Sequence, residues 1–191
     1  MEAKLLHKNN DLLIVIGEYS ITSCQSSILQ ITDFDWNDAL TPWPAKAIRK
    51  GESDFGGQAN VLLAFLRHYD LSKYEHVYAC GYSLAGLFAL YACIILDLDG
   101  CICCSASFWY PEFVPFVKNH PLKNKQIYLS LGNKESKSRN VILASVKACT
   151  EEIYKLIVKE NHCTFEWNPG NHFDHVDERM QKGIAWLENG V

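Results

Sequence analysis

The chain has 191 residues, of which 48% are hydrophobic and 21% charged, and its formal net charge is −4 at pH 7. These values are typical of a globular protein with a full core, most simply one domain spanning residues 1–191. The mild negative charge provides no basic surface for nucleic acid or for an anionic membrane, so neither is expected as a partner.

The first ten residues are polar and lack the apolar core of a secretory signal. No apolar run approaches the roughly 20 residues that a membrane-spanning helix needs. Eight cysteines without a signal peptide indicate reduced thiols, and we therefore expect a cytoplasmic protein. Cys101 and Cys103 would share one face of a strand, and no second Cys/His pair follows at zinc-ligand spacing, which favours core packing over a metal site.

Short apolar runs alternate with segments of helical character along the chain. The runs predict six strands, at residues 11–17, 27–32, 76–79, 101–106, 126–131 and 163–167. The segments between them predict helices at 22–27, 58–69, 87–96, 140–159 and 176–187, and a short helix that starts at Pro111. Residues 33–50 are predicted to be irregular because two prolines flank Trp43. The pattern indicates an α/β protein with a mostly parallel six-stranded sheet and helices on both faces.

In such sheets, ligands bind beyond the carboxyl ends of the strands. This rule selects the loops at 18–20, 33–45, 82–84, 107–110, 132–135 and 170–172 as the place to search for a site.

The most informative of these loops is the turn in residues 80–86, with the sequence Cys-Gly-Tyr-Ser-Leu-Ala-Gly. A strand that turns sharply into a helix at Gly-x-Ser-x-small-Gly is the layout of a nucleophile elbow. Such a turn requires small residues around the serine, and Gly81, Ala85 and Gly86 meet this requirement. We predict that Ser83 is a nucleophile and that the backbone N–H of Leu84, at a helix N-terminus, faces a developing negative charge.

A serine hydroxyl needs a base within hydrogen-bond reach. His172 is the best candidate because it lies in a Gly-containing loop after a late strand and before the last helix. His175 is the competing histidine, but it is expected in the first turn of that helix, pointing elsewhere.

The base in turn needs an acid that fixes its tautomer. Glu135 follows a predicted strand, and the chain order Ser83, Glu135, His172 is the order used by this architecture. Asp174 and Asp177 stay open as alternatives if Glu135 points away.

Two further parts of the site are predicted, an oxyanion donor and a pocket wall. The second oxyanion donor is expected in the loop after the first predicted strand, from Glu18 or Tyr19, although the usual His-Gly-Gly type of motif is absent there. Five aromatic residues in the loops are candidates for the wall of an apolar acyl or aromatic pocket, with core packing as the alternative: Trp36, Trp43, Phe108, Trp109 and Tyr110.

These motifs resemble the α/β-hydrolase superfamily, and most closely the small bacterial esterases grouped with siderophore (ferric enterobactin) esterases and esterase D. The resemblance covers about residues 76–187 and is carried by Gly-Tyr-Ser-Leu-Ala-Gly-Leu-Phe-Ala-Leu at 81–90, Ser-Ala-Ser-Phe-Trp at 105–109, Leu-Gly-Asn-Lys-Glu at 131–135 and Gly-Asn-His-Phe at 170–173. It implies an α/β-hydrolase fold that lacks the first two strands and any lid domain. It also implies Ser83 as nucleophile and His172 as base.

We therefore expect a serine hydrolase that cleaves a small ester or thioester through an acyl-enzyme, without metal or other cofactor. A site without a lid is expected to be shallow, which disfavours a long-chain lipase and leaves open whether a second subunit of a homo-oligomer covers it. Two alternatives are kept. One is a non-catalytic hydrolase-fold binding protein, and the other is an acyltransferase that uses the same triad.

Overall fold

The computed structural model describes residues 1–190, whose strands form one large sheet and one short ribbon. In chain order the strands are β1 (Glu2–Leu6), β2 (Asp11–Ile16), β3 (Ser27–Thr32), β4 (Pro44–Ala45), β5 (Phe55–Gly56), β6 (His76–Tyr82), β7 (Gly100–Cys104), β8 (Gln126–Gly132) and β9 (His162–Asn168). The large sheet has the order β1-β3-β2-β6-β7-β8-β9, and β4 pairs with β5. Its strands run parallel except β1, which is antiparallel to β3.

All six predicted strands form and lie side by side, and the structure adds a seventh that the sequence did not predict. Every residue of β1 is exposed, because the strand lies at the edge of the sheet and covers nothing on either face. Neither an apolar run nor an alternating pattern therefore marks this segment. The predicted count of six strands is one short for this reason.

The helices are α1 (Trp36–Ala39), α2 (Ala59–Leu66), α3 (Leu84–Ile95), α4 (Phe113–Asn119), α5 (Val141–Ala144), α6 (Val146–Ile157) and α7 (Val176–Asn189), with short 3₁₀ turns at Leu71–Lys73 and Glu135–Lys137. The predicted irregular segment 33–50 contains α1 and β4, and the helix predicted to start at Pro111 starts at Phe113.

Two helix predictions were wrong. No helix forms at 22–27, where the N–H groups of Thr22 and Ser23 donate instead to the side chain of Gln181 on α7. The single helix predicted over 140–159 is divided between α5 and α6. At this break the Ser145 hydroxyl donates to the carbonyl of Ile142 at 2.6 Å, which ends the first helix.

Helices cover both faces of the sheet, as predicted. On one face the buried residues of α2, α3, α4 and α6 pack into a large core, and on the other face α7 packs over the central strands. Gly183 permits this close approach, since a Cβ there would collide with Ile102 on β7 and would lie 2.9 Å from the Tyr128 ring on β8. Cys101 and Cys103 are fully buried with their sulfur atoms 3.6 Å apart, which confirms that they fill the core.

No helix in residues 1–190 combines the length and the apolar character that crossing a bilayer requires. Within the same residues, no group of three or more His, Cys, Asp or Glu side chains is arranged to hold a metal ion.

Candidate active site

Ser83 occupies the sharp turn between β6 and α3, with φ 59° and ψ −123°. This conformation is unfavourable for a residue with a side chain and persists only where the surroundings enforce it. The backbone of Ser83 is held on both sides. Its N–H donates to the carbonyl of Cys104 at 3.0 Å, and its carbonyl accepts from the N–H groups of Leu87 and Ser107 at 3.1 and 3.0 Å.

The glycines around Ser83 are required by close approach. A Cβ on Gly81 would collide with the carbonyl of Ala85 and would lie 2.8 Å from the Ala85 Cβ. On Gly86, a Cβ would lie 3.0 Å from both the Ala106 Cβ and the Gly81 carbonyl oxygen. The requirement for small residues that the sequence indicated is confirmed.

We expect Gly81→Ala to lower the free energy of unfolding by about 1–3 kcal/mol, because the added methyl group displaces backbone atoms of the turn. Urea denaturation of the two proteins measures this difference. Gly190→Ala is the matched control, since the nearest atom to its new Cβ is 3.3 Å away on the flexible His162 side chain. Equal stability of the Gly81→Ala and Gly190→Ala variants would contradict the close packing of the turn.

Three loops bring Ser83, Glu135 and His172 into contact at the carboxyl ends of the strands. His172 Nε2 lies 3.0 Å from Ser83 Oγ, and His172 Nδ1 lies 2.8 Å from Glu135 Oε2. Both distances are within hydrogen-bond range. The Glu135 side chain is only 3% exposed and that of His172 is 30% exposed, so the acid is buried behind a histidine that faces solvent.

The alternative acids and the alternative base have other partners. The Asp174 carboxylate accepts the N–H of Asn171 at 2.8 Å, and the Asp177 carboxylate accepts the N–H of Ser20 at 3.2 Å. His175 Nδ1 lies 3.2 Å from Glu178 on the surface of α7. Of the three candidate acids, Glu135 is the one that contacts His172.

The second oxygen of Glu135, Oε1, accepts hydrogen bonds from three donors. It accepts from the Ser105 hydroxyl at 2.7 Å, from the Gly132 N–H at 2.7 Å and from the Arg179 guanidinium at 3.1 Å. Burial by itself would raise the pKa of the Glu135 carboxyl, but the hydrogen bonds from His172 and Ser105 outweigh it and lower the pKa below its usual value. Glu135 is therefore an anion at neutral pH and accepts a proton-bearing Nδ1.

Sequence reasoning missed two groups at this site. Arg179 contacts Glu135 from α7, and the Ser107 hydroxyl lies 3.3 Å from the Ser83 hydroxyl. A signal for Arg179 exists in the sequence. It stands next to Met180 on the buried stripe of an amphipathic helix, where a charged residue is unusual.

The predicted oxyanion donors are placed differently from one another. Leu84 is the first residue of α3, so its N–H has no partner within the helix, and Leu84 lines the cavity beside Ser83. Glu18 and Tyr19 do not line this cavity. The Tyr19 hydroxyl instead accepts the N–H of Tyr82 at 3.2 Å, on the sheet side of the turn. A second donor from Glu18 or Tyr19 stays a prediction.

A cavity of about 590 Å³ opens around Ser83 and His172. The apolar side chains in its lining, called here the apolar wall, are Ile48, Phe55, Trp109, Leu143, Val146 and Phe173, and charged side chains such as Arg49, Glu52, Lys134 and Lys137 also line it. Of the five predicted pocket aromatics, only Trp109 is in this lining. Phe173, directly after His172, is 81% exposed at the mouth of the cavity.

The four other predicted aromatics, Trp36, Trp43, Phe108 and Tyr110, lie outside the cavity lining. Trp43 packs against Tyr110 and Phe116, and its indole N–H donates to the carbonyl of Pro111 at 2.9 Å. Phe108 and Tyr110 are buried in the core. Trp36 stacks on Phe34 at 5.9 Å between ring centroids, on a half-exposed surface. Phe108 and Tyr110 belong to the core and Trp43 packs against it, because their apolar area is most stable out of water, whereas Trp36 is not part of this packing.

Comparison with known proteins gives structural neighbours only: no protein-family model matches the chain, and no curated protein matches it. Siderophore hydrolase EstB from Aspergillus nidulans is 17% identical with a TM-score of 0.70, over 92% of this chain and 81% of that one. Siderophore hydrolase EstA from the same organism is 16% identical with a TM-score of 0.67, over 95% of this chain and 83% of that one. Acyl-protein thioesterase 2 from Zea mays is 12% identical with a TM-score of 0.59, over 98% of both chains. The chain has the α/β-hydrolase fold.

This identification confirms the predicted fold class and the predicted structural resemblance to siderophore esterases. The α/β-hydrolase fold of this chain carries no evident lid domain within residues 1–190. In this fold, the contact from Ser83 through His172 to Glu135 lies at the carboxyl ends of β6, β8 and β9, where ligands bind in parallel sheets.

Proposed function

We propose that the protein is a serine hydrolase that cleaves small esters or thioesters through an acyl-enzyme on Ser83. The observation that carries this proposal is the continuous hydrogen-bonded contact from Ser83 Oγ to His172 and on to the buried Glu135 carboxylate. A serine on a strained turn, a histidine that accepts its proton and an acid that orients the histidine are the three groups that acyl transfer requires. Structural neighbours that are esterases and thioesterases support the same chemistry.

The first step forms a bond between Ser83 Oγ and the acyl carbon of the substrate. His172 Nε2 takes the hydroxyl proton as the bond forms and then gives it to the leaving alcohol or thiol. In the second step His172 takes a proton from water, whose oxygen attacks the acyl carbon, and returns this proton to Ser83 Oγ as the acyl bond to Ser83 breaks and the acid leaves. Glu135 accepts the Nδ1 hydrogen throughout and stabilises the imidazolium that forms in each step.

The negative charge that develops on the acyl oxygen needs donors fixed in advance. The N–H of Leu84 is one donor, because it begins α3 and has no partner within the helix. The second donor in this proposal is the backbone N–H of Glu18 or Tyr19, in the loop that follows β2 beside the nucleophile strand.

The size of the cavity favours a small acyl group. A volume of about 590 Å³ lies within the range of sites for small molecules, and the apolar wall that includes Phe55 and Trp109 suits an acyl or aromatic group. Part of this volume must hold the leaving group as well. Since no lid domain is evident to cover a longer chain, the proposal takes a small acyl group as the substrate.

We expect kcat/KM for p-nitrophenyl esters to be highest for acyl chains of about two to six carbons and to fall for chains of eight or more, because a longer chain extends beyond the apolar wall into water. A series of esters from acetate to laurate, with the matching thioesters, measures the profile. Activity restricted to chains of eight or more carbons would contradict the small-acyl proposal while leaving a serine mechanism in place.

The same series separates hydrolysis from the two alternatives. A non-catalytic binding protein would give no turnover of any ester, although small apolar molecules would still bind the cavity. An acyltransferase would convert added alcohols or amines into new esters or amides in preference to releasing the free acid. Product analysis with and without such acceptors therefore tests the proposed reaction directly.

A further inference from the structure

Arg179 is a buried cation that contacts three of the loops around the proposed nucleophile. It lies in the first part of α7 and is 1% exposed. Its Nη1 donates to the Tyr82 hydroxyl at 2.9 Å, to the Ser105 hydroxyl at 3.0 Å and to Glu135 Oε1 at 3.1 Å. These acceptors stand at or just beyond the carboxyl ends of β6, β7 and β8.

The other end of the guanidinium holds the loop that carries His172. Arg179 Nη2 donates to the carbonyl of Pro169 at 3.0 Å and to the carbonyl of Asn171 at 2.9 Å. Asn171 is the residue directly before His172. The two nitrogens therefore bind different parts of the site. Nη1 binds the side chains of Glu135, Ser105 and Tyr82, and Nη2 binds the backbone of the loop that carries His172.

Tyr82 adds a second connection from Arg179 to the same loop. The Tyr82 hydroxyl accepts from Arg179 and donates to the backbone carbonyl of His172 at 2.8 Å. Burial raises the pKa of Tyr82 to about 12, so this hydroxyl keeps the proton that it donates. Arg179 and Tyr82 together thus bind three backbone carbonyls of the histidine loop, those of Pro169, Asn171 and His172.

We infer that Arg179 is a positioning residue of the proposed hydrolase, which aligns His172 with Ser83 and keeps the Glu135 carboxylate charged, with Tyr82 as its link to the histidine backbone. The inference rests on the proposed function. It explains why a cation occupies a core position of α7, where an apolar side chain of similar size would fill the space without the cost of burying a charge.

The forked geometry of the guanidinium contributes to this positioning role, in addition to its positive charge. Nη1 and Nη2 point at different sets of acceptors, and a lysine ammonium, a single point charge, cannot reach both sets at once. Arg179→Lys therefore keeps the positive charge but loses the simultaneous hydrogen bonds to both sets of acceptors. Arg179→Met loses both, and a comparison of the two variants separates these contributions.

The experiment measures kcat, KM and the pH profile of kcat/KM for Arg179→Lys and Arg179→Met, with a small p-nitrophenyl ester. A misplaced catalytic group can lower the rate by about 100-fold, so we expect kcat to fall by about 10–100-fold in both variants with KM changed little. Lys182→Met is the control, because Lys182 lies on the same helix but its ammonium contacts the side chains of Glu166 and Asn168 and none of the three proposed catalytic residues. It should retain the wild-type kcat.

The pH profile gives a readout that a purely structural role would not move. The charged and titratable groups that face Glu135 are His172 from the loop after β9, Arg179 from α7, Tyr82 from β6 and Cys104 from β7. Removing the cation beside Glu135 favours the protonated form of that carboxyl, whose pKa lies below its usual value in the wild-type protein, so the acidic limb of kcat/KM should move to higher pH in Arg179→Met. In Arg179→Lys the limb should stay near its wild-type position.

Tyr82→Phe keeps the inference falsifiable if Arg179→Met does not fold, because it deletes one hydroxyl and leaves the ion pair intact. We expect about a tenfold lower kcat, the effect of losing one hydrogen bond that positions the base. Circular dichroism establishes that each variant is folded. Wild-type kcat in folded Arg179→Lys or Tyr82→Phe, or wild-type kcat together with an unmoved acidic limb in folded Arg179→Met, would overturn the inference and leave the proposed function in place. Absence of ester hydrolysis by the wild-type protein would overturn the proposed function, and the inference with it.

Discussion

Replacement of Ser83 by alanine is expected to lower kcat for a small p-nitrophenyl ester by about 10⁴–10⁶-fold, the loss seen when the nucleophile of a serine triad is removed. The expected size follows from the mechanism. Without the hydroxyl no acyl-enzyme forms, and what is left is water attack assisted by the oxyanion donors. Because alanine lacks only one oxygen, substrate binding and the fold should persist, so KM and the unfolding midpoint measure whether the loss is chemical.

The neighbouring hydroxyl provides the matched control. Ser107 Oγ lies 3.3 Å from Ser83 Oγ, yet His172 contacts Ser83. Ser107→Ala should lower kcat by about two- to tenfold at most, the equivalent of one ordinary hydrogen bond. A larger loss in Ser107→Ala than in Ser83→Ala would mean that the wrong hydroxyl has been identified as the nucleophile.

Glu135→Gln is expected to lower kcat by about 10³–10⁴-fold, in line with the loss of the buried acid in other serine triads. A glutamine amide does not fix the Nδ1–H tautomer of His172 and does not stabilise its imidazolium.

Asp177→Asn is the control for this substitution. Asp177 was an alternative acid, but its carboxylate binds the N–H of Ser20. We expect kcat of this variant to stay within about threefold of wild type, because an exposed hydrogen bond of this kind is worth little. Retention of full activity by Glu135→Gln, together with a large loss in Asp177→Asn, would show that the acid has been misassigned.

The strands were predictable because their physical signal is local. The strands β2, β6, β7 and β8 are buried along almost their whole length, and burial on both faces demands a run of apolar residues. β1 shows the limit of that signal. It is held to β3 by backbone hydrogen bonds alone and exposes all of its side chains, so its sequence need not be apolar.

The sequence predicted those parts of the candidate site that depend on a tight turn or on the end of a strand. The glycines around Ser83 are required by close packing, and the loops that hold Glu135 and His172 follow strands. The choice among Glu135, Asp174 and Asp177 needed the distances between atoms, because all three stand near the same edge. The direction of aromatic side chains such as Trp43 and Tyr110 also depends on the tertiary packing, and sequence position does not reveal it.

The central claim is that Ser83 is the activated nucleophile, and covalent labelling tests it most directly. A fluorophosphonate probe is incubated with the folded protein and, separately, with a heat-denatured sample, and mass spectrometry of the digested protein locates any modified residue. We predict a single adduct on Ser83 that is absent from the denatured sample and from folded Ser83→Ala. Failure of the folded wild-type protein to react, or an adduct that persists in Ser83→Ala, would contradict the assignment.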